Sequence, residues 1–123
     1  MKVLLDTHIF LWILNDSKNL SSLKRFEIQN KANILYLSSI SIAEIMIKSA
    51  VGKLDADFDV IEMVKESGIE LLDFKAEDAV LLKGLPLHHK DPFDRMLICQ
   101  SRANKMKLMT DDQKIKLYDC KVI

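Results

Sequence analysis

Short apolar runs alternate with helical stretches along this chain, and that alternation leaves few folds open. Lys2–Asp6 (KVLLD), Ile34–Ser38 (ILYLS), Ile69–Leu72 and Lys107–Thr110 read as strands, most of them apolar until a polar residue ends the run. Between them lie stretches with helical spacing: His8–Leu14, Ser21–Lys31, Ser41–Val51, Asp57–Ser67, Ala76–Lys83 and Asp91–Asn104. Strands that alternate with helices predict an α/β domain built on a parallel sheet. With Cys120–Ile123 as a candidate last strand, the sheet has about four to five strands. At 123 residues one domain, 1–123, is expected, and 49% hydrophobic residues are enough to fill its core.

Local signals sharpen the boundaries. Asp91-Pro92-Phe93-Asp94 is a strong helix start, with Asp91 at the N-cap and Pro92 at the first helical position. Ser41 and Glu44 have capping-box spacing at the start of another helix. Gly52, Gly68 and Gly84 suit helix stops. Leu23, Phe26 and Ala32 mark the apolar face expected for the helix over 21–31.

Four acids, Asp6, Glu44, Asp94 and Asp112, fall just past these strands or at the starts of helices. In a parallel α/β fold the C-terminal strand ends share one edge, and ligand sites form where strand order reverses. Carboxylates gathered there repel one another unless a cation neutralises them. All-oxygen ligation favours Mg²⁺, with Mn²⁺ as the alternative. Each acid also has a purely structural explanation. Asp6 could cap the helix after it, and Glu44 could complete the capping box. Asp91 is better explained as a cap than as a ligand, so Asp94 is the preferred ligand of that pair. Residue chemistry leaves Asp111 and Asp112 as open alternatives after the fourth strand.

Other residues carry less. Lys plus Arg is 18 and Asp plus Glu is 18, so net charge gives no global bias toward a polyanion. Two cysteines, Cys99 and Cys120, are too few for a disulfide framework and read as core thiols. No Cys/His cluster suggests zinc. His8 reads as a core histidine, and His88 and His89 as exposed loop residues. Arg95 could pair with an acid or a phosphate. Lys48 and Lys53 read as a solvated face or a phosphate-tracking edge, and Trp12 as core. The apolar stretch over Val3–Leu14 is too short and too polar to span a bilayer, so a cytoplasmic protein with no membrane partner is expected.

Together, Leu4-Leu5-Asp6-Thr7-His8, Ser41-Ile42-Ala43-Glu44-Ile45, His89-Lys90-Asp91-Pro92-Phe93-Asp94-Arg95 and Leu108-Met109-Thr110-Asp111-Asp112 resemble the PIN domain, in particular the VapC-type toxins of toxin–antitoxin pairs. The resemblance implies a three-layer α/β/α fold and a Mg²⁺- or Mn²⁺-dependent endoribonuclease. It places the family's acidic quartet on Asp6, Glu44, Asp94 and Asp112, with Thr110 as the hydroxyl residue beside them. It also implies an RNA substrate, a homodimer and a cognate antitoxin whose tail occupies the site. The sequence departs from the family pattern at Ala43 and at Cys99, Gln100 and Ser101, none of which is a proposed ligand.

Metal-assisted attack by water predicts products with 5′-phosphate and 3′-hydroxyl ends, and two metals would lie about 3.5–4 Å apart. A haloacid-dehalogenase-type phosphatase needs Asp-x-Asp after the first strand, and here position 8 is His8. A receiver domain needs an acidic pair near the first strand, which Asp6-Thr7 does not supply. A catalytically silent RNA- or partner-binding scaffold keeps the fold but gains nothing from clustered negative charge.

Overall fold

The computed structural model describes Met1–Ile123. Four strands form one parallel sheet: β1 (Lys2–Leu5), β2 (Ile34–Ser38), β3 (Glu70–Leu72) and β4 (Lys107–Met109), in the order β3-β2-β1-β4. β1 is central, with Leu4 opposite Tyr36 of β2 and Leu108 of β4. The candidate last strand is reduced to one parallel bridge between Val122 and Leu108.

Side chains on a strand alternate between faces, so each strand feeds two cores. Val3, Leu5, Leu35, Leu37 and Met109 face one layer, where they meet Ile9 and Phe10 of α1 (Thr7–Asn15), Ile45 of α3 (Ser39–Ala50) and Val60 and Val64 of α4 (Val60–Glu66). Leu4 and Leu108 face the other, against Leu97, Ile98 and Cys99 of α6 (Pro92–Ala103). The result is a three-layer α/β/α arrangement. Both cysteines are free, Cys99 buried and Cys120 half-buried.

The glycine stops at positions 52 and 68 hold for a physical reason. Gly52 and Gly68 take φ of 77° and 71°, and the following N–H groups reach back to Lys48 O and Val64 O. These are left-handed helix terminators that a side chain would strain. Lys105 occupies the same position after α6 at φ 53°, with Met106 N–H donating to Ser101 O. Residues 76–84 are a single α turn, α5 (Ala76–Ala79), followed by a 3₁₀ turn that ends at Gly84.

Two expectations are corrected. α2 spans Ser22–Gln29, but Leu23 and Phe26 are 61% and 63% exposed while Lys24 is buried. Lys24 forms an ion pair with Asp111 at 2.7 Å, and Ile28 is the apolar residue of this helix that packs against the core. α3 starts at Ser39, not Ser41. Ser38 is its N-cap and its Oγ accepts from Ile40 N–H, so Ser41 and Glu44 form no capping box.

The chain winds outward from β1 through β2 to β3, then returns to place β4 on the other side of β1. Strand order therefore reverses between β1 and β4, which opens a crevice at their C-terminal ends. No helix is long and apolar enough to cross a membrane.

Candidate metal centre

Four segments deliver their acids to that crevice. A cavity of about 240 Å³ is lined by Asp6, Glu44, Asp91, Asp94, Asp111 and Asp112, with Lys48, His8, Ile9 and Trp12 completing its wall. The four preferred acids thus meet, although only Asp6 and Asp112 come from strand exits. Glu44 projects from the second turn of α3, and Asp94 from the first turn of α6.

Asp6 is buried and sits at the N-cap of α1, yet its side chain makes no capping bond. Its Oδ2 instead accepts from the Thr110 hydroxyl at 2.6 Å. Burial nevertheless pushes the Asp6 carboxyl up, with the Thr110 bond opposing and the Glu44 charge adding to the rise. Thr110 Oγ1 in turn accepts from Asp112 N–H at 3.0 Å. One buried hydroxyl therefore ties the exit of β1 to the loop after β4.

Glu44 is also buried. Its Oε1 accepts from the Thr7 hydroxyl at 2.7 Å, and Ser41 Oγ lies 2.9 Å from the same Thr7 oxygen. A carboxylate can only accept, so Thr7 gives its proton to Glu44 and receives one from Ser41. Ser41 is thus recruited to the site rather than to a helix cap. Oε2 pairs with Lys48 one turn on, and this bond holds the Lys48 ammonium above its usual range.

Asp94 is half-buried, and its carboxyl is pushed up to about 7 by burial first, then by the charges of Asp6 and Asp91. Asp91 caps α6 as its sequence context implies, its Oδ1 accepting from Phe93 and Asp94 N–H at 2.8 and 3.2 Å. That cap fixes the turn from which Asp94 projects. Asp112 behaves oppositely. Burial alone would raise it, but His89 and the backbone N–H groups of Lys114 and Ile115 outweigh burial and hold its carboxyl low. Asp111 lines the cavity but is spoken for by Lys24.

His8 and Arg95 sit elsewhere than the sequence suggests, and Trp12 has a second role beside its expected one. His8 is exposed on the cavity wall rather than in the core, one turn before Trp12, whose ring centroid lies 6.4 Å away. Trp12 is half-buried; it packs against the core as expected and also forms part of the same wall. Arg95 pairs with no acid; its guanidinium donates to the carbonyls of Leu85, Pro86 and His89 and so pins the loop before α6.

The residue that sequence reasoning missed is His89. It is 8% exposed, and its Nε2 lies 2.8 Å from Asp112 Oδ2 and 3.0 Å from Asp94 Oδ2. The available signal was its place two residues before the Asp91 N-cap, inside the segment that carries Asp94. The His88-His89 pair looked like a polar loop, and only the fold shows that one of the two rings turns inward.

The donor set fits a hard divalent cation. The oxygens come from carboxylates, and two of the acids are raised by burial and mutual repulsion, which a cation would relieve.

The PIN domain profile matches residues 3–120. No curated protein sequence matches the chain. Among solved structures, a chain of VapBC2 from Rickettsia felis bound to a DNA fragment from their promoter superposes with a TM-score of 0.74 at 21% identity, covering 100% of this chain and 98% of that one. A chain of DNA-bound VapBC from Salmonella typhimurium gives 0.68 at 19% identity, covering 100% and 97%. A chain of FitAcB from Neisseria gonorrhoeae gives 0.65 at 18% identity, covering 98% and 96%. Likeness at this level of identity speaks for the fold.

Proposed function

The chain belongs to the PIN domain family, and from that premise and the acid-lined crevice we propose that it is a metal-dependent endoribonuclease, the toxin of a type II toxin–antitoxin pair. The observation that carries the reading is the convergence of Asp6, Glu44, Asp94 and Asp112, from four separate segments, on one cavity. A binding scaffold for RNA has no use for such a concentration of negative charge, since it would repel the phosphates.

In this reading Asp6, Glu44 and Asp94 hold Mg²⁺ or Mn²⁺, and Asp112 completes the site. Thr110 fixes the Asp6 carboxylate, and Thr7 fixes that of Glu44. Lys48 neutralises the second oxygen of Glu44. When bound, a divalent metal supplies positive charge for the phosphoryl oxygens and makes an attacking water more acidic. Water attack with departure of the 3′-oxygen leaves 5′-phosphate and 3′-hydroxyl ends. His8 and Trp12 on the cavity wall offer aromatic faces next to the acids, suited to an unstacked base.

Residues 1–123 act as one domain in the cytoplasm. Two of the solved structures it superposes on are VapBC2 bound to a promoter DNA fragment and DNA-bound VapBC, which is consistent with a partner protein for this chain. Exposed Leu23 and Phe26 on α2 and Met46, Ile47 and Val51 on and after α3 leave apolar surface for an antitoxin and a second copy of the chain to cover.

The test is incubation of partner-free protein with a mixed cellular RNA pool in Mg²⁺, Mn²⁺ or EDTA, alongside Asp6→Asn and Asp94→Asn. The reading expects cleavage that requires metal, is lost in both variants, and leaves 5′-phosphates. Cyclic-phosphate ends, or cleavage that survives EDTA and both substitutions, would overturn it.

A further inference from the structure

We infer that His89 is a positioning residue that clamps Asp94 and Asp112 together through its Nε2–H, and is not itself a metal ligand. The inference rests on the proposed reading of the acids as ligands. His89 Nε2, one Asp94 oxygen and one Asp112 oxygen all lie within 4.8 Å of one another. Such a group of one histidine and two carboxylates could equally be a ligand triad for a softer metal.

The second ring nitrogen separates the two. Asp91 N–H donates to His89 Nδ1 at 3.1 Å. A ring nitrogen that accepts a hydrogen bond carries no proton, so the ring proton sits on Nε2. Nε2–H then points at Asp112 at 2.8 Å and Asp94 at 3.0 Å. Ligation through Nε2 would need its lone pair free and the proton moved to Nδ1, directly against the Asp91 N–H.

The rest of the residue is immobilised to match. His89 N–H donates to Tyr118 Oη at 2.8 Å, and the Tyr118 hydroxyl donates to Pro86 O at 2.7 Å. Arg95 Nη1 donates to His89 O at 3.3 Å. Asp91 thus has two tasks: its carboxylate caps the helix that carries Asp94, and its N–H selects the tautomer that holds Asp94. Ligating carboxylates are commonly oriented by such outer donors, whose loss weakens metal affinity by about 10–100-fold. A donor here also leaves the ligand set all oxygen, in keeping with Mg²⁺ or Mn²⁺.

Two measurements on the full chain test this. Nitrogen-15 NMR of the histidine rings, with and without saturating Mg²⁺, reads the tautomer; His89→Gln assigns the signal. The inference expects a protonated Nε2 and an unprotonated Nδ1 in both states. Calorimetric titration with Mn²⁺ expects His89→Ala to bind about 10–100-fold more weakly than wild type, with partial recovery in His89→Gln, whose amide N–H can reach the carboxylates. A protonated Nδ1 with an Nε2 signal that shifts on metal binding would make His89 a ligand and overturn the inference, even where His89→Ala fails to fold. Unchanged affinity in a folded His89→Ala would also overturn it, while leaving the nuclease reading intact. Failure of wild type to bind either metal would remove both.

Discussion

Without a cation at neutral pH, Asp94 stands near its own titration point, because burial and the charges of Asp6 and Asp91 push its carboxyl from 3.8 up to about 7. The folded state therefore holds a proton there that the unfolded chain has released above pH 4. Stability linked to that proton is full below the unfolded value and is lost as pH rises toward 7. Asp94→Asn should raise the stability of the metal-free protein at pH 7.5, by on the order of 2 kcal/mol, and flatten its pH dependence between 4 and 7. Thermal melts in EDTA across that range check it; an Asp94→Asn protein that melts lower than wild type at pH 7.5 would refute the electrostatic account. Saturating Mg²⁺ should reverse the trend, stabilising wild type more as pH rises, since binding expels the proton. At this scale the sequence was informative about acids and poor about their partners. Asp6, Glu44 and Asp94 could be read from their positions. Of the groups that hold them, Thr110 was named through the family resemblance alone; the bonds from Thr7, Ser41 and His89 span 23 to 37 residues along the chain or depend on a loop's curl, so no local pattern announces them.

Helix ends decide how well these side chains are aimed. The α6 start was legible because Asp91-Pro92 is a strong local signal, and the cap delivers Asp94 directly. Asp91→Ala should destabilise the fold by about 1–2 kcal/mol and reduce cleavage disproportionately, since Asp94 shares that turn. Denaturant melts beside rates measured on the folded fraction would show it; a loss of rate no larger than the loss of folded protein would argue against an aiming role. At the other end of α6, Lys105 sits at φ 53° where Gly52 and Gly68 serve the equivalent turns. Lys105→Gly should stabilise the protein by about 0.5–1 kcal/mol without touching the site, and a lower melting temperature would contradict that. Two elements misled. The capping-box spacing at Ser41 was outcompeted by Ser38, which ends a buried strand and caps α3 three residues earlier. On α2, Leu23 and Phe26 point outward while Ile28 packs on the core and Lys24 pairs with Asp111, so tertiary packing and not the local apolar spacing set the buried face.

On the scale of the molecule, the parallel sheet was legible because each strand is a short apolar run bounded by helical spacing. What the sequence could not order was the strand sequence itself, and order is what makes the site. β4 must return to pair with β1 for Thr110 to reach Asp6. Leu4 and Leu37, both fully buried, hold the sheet between its two helical layers. Leu37→Ala should cost about 2–5 kcal/mol with metal affinity retained in whatever fraction stays folded, because Leu37 faces the core and not the cavity. The most direct measurement is a crystal structure with Mn²⁺ at saturating concentration, located by its anomalous scattering. The account predicts a peak in the crevice coordinated by oxygens of Asp6 and Asp94, with Glu44 or Asp112 bonded directly or through water. Crystals of active protein with no Mn²⁺ among these acids, or with the ion bound elsewhere, would contradict it.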